Sequence, residues 1–159
     1  TIEINNIRSR VVPAGAGGGE RIVVKAFSVD DFWQEKKIVT KPDFALFDVE
    51  GHEYAVLLGM RRTLSAGYPP NIIFELQKGE AGMEAFEKIS SLLSEFGYNC
   101  FGIEDDYALE RVGRSSDTIT LFSASLIPNL LSKERYCNVL ATKLSERKIL
   151  SLGARIIHK

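Results

Sequence analysis

Residues 44–76 read FALFDVEGHEYAVLLGMRRTLSAGYPPNIIFEL, and the succession of patterns within them decides the fold class. Phe44–Val49 is a continuous apolar run broken only by Asp48, the pattern of a strand buried on both faces. Tyr54, Leu57, Leu58 and Leu64 then share one helical stripe and predict a helix over about Glu53–Ala66, stopped by Gly67. Arg61 and Arg62 fall near its C-terminal end, where cations suit the helix dipole. Pro69-Pro70 makes a turn, and Asn71–Leu76 reads as a second buried strand. Two strands joined through a helix predict a parallel pair with a right-handed crossover.

Upstream, Lys41-Pro42-Asp43 ends any preceding helix, because the residue before proline avoids the helical region. Ser28-Val29-Asp30-Asp31 resembles a capping box, a hydroxyl N-cap with an acid three residues on, and opens a short helix through Phe32, Trp33 and Lys36. Arg21–Phe27 is β-branched and strand-like. The glycine-rich stretch PAGAGGGE (residues 13–20) has the look of a phosphate-cradling loop. That chemistry needs a helix directly after the loop, and here a strand pattern follows, so the stretch reads as a connection. Residues 1–12 alternate weakly and suggest an irregular strand.

Downstream, Met83, Phe86, Ile89, Leu92, Leu93 and Phe96 predict a helix over about Gly82–Phe96, with Gly97 at its C′ position. Tyr98–Ile103, Ala108–Val112 and Thr118–Ser123 read as short strands. The turns between them, Glu104-Asp105-Asp106 and Gly113–Asp117, are too short for helices, so these strands pair antiparallel. Tyr136, Val139, Leu140 and Leu144 predict a helix over Ser132–Arg147, and residues 149–159 carry no clear signal. The expected class is α/β, a mostly parallel sheet with an antiparallel edge hairpin. It divides into an irregular segment (1–20), the α/β part (21–123) and a helical extension (124–159).

Composition sets the outer bounds. The chain has 159 residues, 45% of them apolar and 26% charged, which suits one globular domain with a real core. Twenty Lys+Arg against twenty-one Asp+Glu leave a formal charge of −1. That balance argues against nucleic acid or an anionic membrane as the partner. No apolar run is long enough to span a bilayer, and no signal peptide opens the chain. Cys100 and Cys137 form neither a metal spacing nor a disulfide framework, which points to a reducing, cytoplasmic location.

Ligands of open α/β sheets bind beyond the carboxyl ends of the strands. Asp48 and Glu50 close the first buried strand here, and Glu75 closes the second. Gly51, His52 and Glu53 follow on the same loop, so carboxylates and an imidazole crowd one rim of the sheet. An ionised group so close behind Phe-Ala-Leu-Phe is expected to be paired or placed for a purpose, since unpaired burial of charge is costly. Glu53 also suits a first-turn acid that complements the helix dipole, and Glu75 a buried acid supporting Asp48 or the loop. Oxygen ligands from Asp48, Glu50 and Glu75 would suit Mg²⁺ or Ca²⁺, although no spacing among them is diagnostic.

The stretch Asp43–Gln77 closely resembles the C-terminal half of the FkbM-type methyltransferase domain. The shared features are an apolar strand ending in Asp-x-Glu-Gly-x-Glu (Asp48, Glu50, Gly51, Glu53), a helix with a Leu-x-Gly element ending at Gly59, and a strand ending in an acid (Glu75). SVDDF at Ser28–Phe32, EFGY at Glu95–Tyr98 and DTITLF at Asp117–Phe122 also match, so the resemblance runs from about Arg21 to Ser123. It implies a Rossmann-like fold and S-adenosylmethionine-dependent methyl transfer to a hydroxyl of a sugar or other natural product. Asp48 and His52 are then the candidates for proton removal or substrate orientation, with Glu50, Glu53 and Glu75 in supporting places. The family's Gly-rich cofactor loop should lie well before Asp48. Only 47 residues precede Asp48, and Gly15–Gly19 lacks both the Asp and the following helix. The expectation is a fragment without its cofactor-binding half, inactive by itself. A non-catalytic interaction module that meets a partner, or a second copy, through an exposed sheet edge is the alternative from another functional class.

Overall fold

The computed structural model describes residues 2–4, 9–11, 21–22, 26–104, 118–133 and 136–158. The glycine-rich stretch 13–20, the strand expected at 108–112 and the turn at 113–117 lie outside the described residues. Three short strands come first, β1 (Ile2–Ile4), β2 (Ser9–Val11) and β3 (Arg21–Ile22), paired antiparallel in the order β2-β1-β3. Then follow α1 (Val29–Lys36), β4 (Phe44–Phe47), α2 (Glu53–Leu58), α3 (Arg61–Ser65), β5 (Asn71–Gln77), α4 (Glu80–Glu95) and β6 (Asn99–Ile103). The chain continues with β7 (Thr120–Ser123), a 3-10 turn leading into α5 (Ile127–Lys133), β8 (Tyr136–Thr142), α6 (Glu146–Ser151) and β9 (Arg155–Ile157).

Six strands form the main sheet in the order β4-β5-β8-β6-β7-β9. The crossover pair is parallel, with Phe44 level with Asn71 and Phe47 level with Phe74. The β7–β9 pair is parallel as well. Antiparallel pairing goes beyond the β6–β7 hairpin, because β8 enters between β5 and β6 and runs against both.

The helix expected over Ser132–Arg147 is therefore corrected to a strand over Tyr136–Thr142, with the end of α5 before it and the start of α6 after it. Cys137, Val139 and Ala141 alternate into one core while Leu140 packs into another on the opposite face. A strand buried on both sides is apolar on both sides, and four of its residues and neighbours happen to fall at helical spacing.

Two cores sit on the two faces of the sheet. The larger joins Leu57, Leu64, Phe74, Ile89, Leu93 and Ile127 with β8's Val139. The smaller packs Ile149 of α6 on Phe101 and Leu121. That second layer stops short of β4, and Phe44 and Leu46 remain 50% and 64% exposed on the uncovered face. The expectation of a strand covered on both faces holds for neither of them. A fully buried Leu contributes about 1.5–3 kcal/mol, most of which Leu46 forgoes.

The single helix expected over Glu53–Ala66 is two short helices, broken at Gly59-Met60. The break is where α1 docks. The Asp30 amide donates to the Gly59 carbonyl at 3.0 Å. The Asp30 carboxylate accepts the amides of Arg62 (2.8 Å) and Thr63 (3.0 Å) and the Thr63 hydroxyl (2.6 Å). These are the orphan donors of α3's first turn, so a side chain from one helix caps another. Ser28 caps α1 itself, accepting the Asp31 amide at 3.0 Å, as the capping-box pattern predicts. Hydrogen bonding with Ser28 holds the Asp31 carboxyl below its usual range against an opposing desolvation, with help from the Arg62 guanidinium at 2.7 Å.

The helix expected at Gly82–Phe96 opens two residues earlier and ends at the expected signal. Gly97 takes a φ of 78°, and the amides of Gly97 and Tyr98 turn back to the carbonyls of Ser94 and Leu93, the Schellman arrangement. At its other end any side chain on Gly82 would collide with the Gln77 carbonyl oxygen, so α4 lies against β5 only because that position is glycine.

Two predictions follow from this packing. Asp30→Ala leaves three donors of α3 without their acceptor and should cost about 2 kcal/mol, read as a lower urea midpoint at unchanged slope. Burial pushes the Tyr98 phenol up to about 12 from 10.0 and the Cys100 thiol up to about 12 from 9.0. Both neutral forms are thus favoured by folding. Their contribution is complete below the unfolded values and drains away as pH rises from 9.0 through 10.0 towards about 12. Tyr98→Phe also removes the hydroxyl's hydrogen bond to the Pro69 carbonyl (2.6 Å). It should lower stability near neutrality by about 1 kcal/mol while flattening the alkaline decline in urea unfolding.

Candidate functional site at the carboxyl ends of β4 and β5

The parallel register places the rim. Phe47 is level with Phe74, so Asp48 leaves β4 at the height of Glu75 on β5. The two acids thus stand at neighbouring strand ends, where open α/β sheets take their ligands. Asp48 is exposed, and among the described residues no hydrogen bond or ion pair engages its carboxylate. Of the two outcomes expected of Asp48, pairing or placement for a purpose, the described residues show no pairing. Asp48 follows Phe44 and Leu46 on the face of β4 that nothing described covers, so its charge keeps its water. Glu75 is half-buried and level with Asn138 of β8.

The loop after β4 is held by its backbone. Glu50 and Gly51 take φ of 52° and 92° in succession. The His52 amide donates to the Val49 carbonyl at 3.3 Å. Positive φ at both central residues matches a type I′ turn, which a glycine takes freely and a glutamate only at a cost of about 1 kcal/mol. Such strain in a non-glycine residue is one of the signs that accompany functional loops.

Glu53 is the buried member of the group, 4% exposed, and its Oε1 accepts the Gly51 amide at 3.2 Å. A side chain in α2's first turn therefore folds back to fasten the turn before it. His52 sits at the N-cap of α2 with no side-chain capping bond, half-exposed. Asp48, Glu50, His52 and Glu53 thus share one five-to-six-residue loop, with Glu75 on the adjoining strand. Among the described residues no group of three or more His, Cys, Asp or Glu side chains is arranged to hold a metal ion, so Asp48, Glu50 and Glu75 do not form the oxygen-ligand set considered from the sequence. Also among the described residues, no helix is long and apolar enough to cross a membrane.

The model of the family described as the methyltransferase FkbM domain matches residues 5–100. The chain belongs to the FkbM methyltransferase family. The match spans more than half the chain, begins between β1 and β2, and ends on the first residues of β6. Neither a curated protein nor a solved structure matches. The sheet fits the family's Rossmann-like α/β fold, and FkbM methyltransferases generally depend on S-adenosylmethionine. The DVEGHE block that carries the resemblance is the loop just described.

Spacing did not disclose the residues that frame a second concavity. A cleft of about 440 Å³ opens between α1, the loop before β4 and the end of α3. It lies at the amino ends of β4 and β5, away from the rim. Lys41 and Tyr68 meet there across 27 positions of sequence, a distance over which no local pattern operates.

Glu53→Ala should lower stability by about 1–2 kcal/mol in urea unfolding, through a buried acceptor lost from the loop. Glu53→Gln keeps a carbonyl acceptor for the Gly51 amide and should lose less than half as much.

Proposed function

We propose that the chain is the acceptor-side portion of an S-adenosylmethionine-dependent O-methyltransferase acting on a hydroxyl of a sugar or similar natural product. The observation that carries this reading is the strained DVEGHE loop of an FkbM methyltransferase beside Glu75, at the carboxyl ends of two parallel strands. When bound, the cofactor would supply an electrophilic methyl group, its S–C bond breaking as the acceptor oxygen takes the methyl, and the oxygen's proton would pass to a base of this chain. Asp48, exposed and unpaired among the described residues, and His52, with no capping bond to occupy it, are suited to accept that proton or to orient the hydroxyl. Glu53 fastens the loop through the Gly51 amide, while Glu50 at the turn and Glu75 on β5 take supporting places beside it.

The described residues contain no strand followed by a glycine-rich loop and helix of the nucleotide-binding kind, so the cofactor-binding half is proposed to lie outside these 159 residues. Among the described residues β4 is an edge strand and Phe44 and Leu46 are exposed on a face that nothing covers, which supports this. An edge strand with unpaired backbone groups and exposed apolar side chains is a surface that proteins usually cover. The two buried, free cysteines suit the reducing cytoplasm.

Titration calorimetry of the 159-residue chain with S-adenosylmethionine should show no heat of binding. The longer protein should bind it and methylate a hydroxyl acceptor. There, Asp48→Asn and His52→Ala should between them lower kcat by roughly 10²–10⁴-fold with cofactor affinity unchanged. Tight binding by the isolated chain would overturn the missing-half reading. A longer protein that binds no cofactor would favour a non-catalytic interaction module that uses the open β4 edge.

A further inference from the structure

The cleft at the amino ends of β4 and β5 contains the second unexplained group of side chains. We propose that it binds a small organic anion carrying a flat apolar ring, at a site separate from the rim and independent of the methyl-transfer reading. Its volume of about 440 Å³ falls within the roughly 300–1,000 Å³ of small-molecule sites.

The charges in the cleft are unequal in an informative way. Arg62 is already balanced, with Nη2 2.7 Å from Asp31 and Nε 3.7 Å from Asp30, and Nη1 donates to Gln34 at 3.1 Å. The buried Asp30 carboxylate is itself satisfied by the donors of α3. Lys41 is different. Its Nζ donates to the Tyr68 hydroxyl at 2.9 Å and lies 4.4 Å from that ring's centroid. Among the described residues no carboxylate comes within ion-pair distance of it. A neutral hydroxyl and a ring orient the ammonium without cancelling its charge. The cleft therefore presents one aimed, uncompensated cation.

Around that cation the lining is apolar and aromatic. Trp33 and Tyr68 supply flat surfaces, and Ile38 and Val39 are 39% and 91% exposed. Two β-branched apolar side chains held in solvent beside an indole form a surface that an apolar ring would cover. An inorganic anion would satisfy Lys41 and leave this surface wet. A neutral ring would cover the surface and leave Lys41 unpaired. Only a ligand with both parts uses the whole cleft, which is why the two features together define the class.

Trp33 is the only tryptophan of the chain, so its emission reports on the cleft. The full chain is titrated with phenyl phosphate, with inorganic phosphate and with benzyl alcohol, and amide shifts are followed by NMR in parallel. Phenyl phosphate should give a saturable change with a Kd at least about tenfold lower than either half-probe. The shifts should map to α1, residues 38–41 and the end of α3. Lys41→Gln should raise the phenyl phosphate Kd about tenfold at an unchanged melting temperature. Val39→Asp, at an exposed position that folding does not use, should weaken it too by setting a like charge at the mouth. Equal affinity for the three probes, an unsaturable response, or parent-like binding by both variants would overturn the proposal.

Discussion

Asp30 serves two helices at once, one through its backbone and the other through its side chain. Its backbone amide closes onto Gly59, the last residue of α2's turn, and its carboxylate takes the first free amides of α3. Without an acceptor at that point, the partly buried Thr63 amide and hydroxyl at the start of α3 would face no partner, at a cost that is a noticeable share of a domain's net stability. The contact ties α1 to both short helices of the crossover that joins β4 to the parallel β5, the pair whose carboxyl ends carry Asp48 and Glu75.

Much of the frame was legible because it is local. Ser28 three residues before an acid, Gly97 after an amphipathic run, and two apolar stretches around a helical stripe are patterns that a few neighbouring residues enforce. The break at Gly59-Met60 was not legible, since it depends on Asp30 arriving from another helix. Nor was β8. Its Cys137-Val139-Ala141 alternation is visible in hindsight, but Leu140 facing a second core hides it. The burial of β4 was overestimated for the same reason, as an apolar run states what a residue tolerates and not whether anything covers it. At the site, the crowding of Asp48, Glu50, His52 and Glu53 followed from their adjacency in sequence. The separate natures of these groups did not. The exposure of Asp48 and the burial of Glu53 are set by which face of the rim each one meets.

Rim and cleft divide the parallel pair between its two ends. At the carboxyl ends stand ionisable groups on a strained loop, one of them buried and fastened to the backbone. At the amino ends lies an apolar hollow with one oriented ammonium. The strands between them are hydrogen-bonded to each other and packed on one face by the larger core. Such a body holds the geometry of each end without requiring the other to move.

The place of β8 bears on how the molecule is made. It lies in the middle of the sheet yet comes near the end of the chain, pairing β5 on one side and β6 on the other. A nascent polypeptide leaving the ribosome can set β4 against β5, and β6 against β7, but the two halves have no seam until Tyr136–Thr142 emerges. Until then each half shows the growing chain an open backbone edge, and a premature stop before this segment would leave β5 and β6 linked through α4 without the strand that hydrogen-bonds to both.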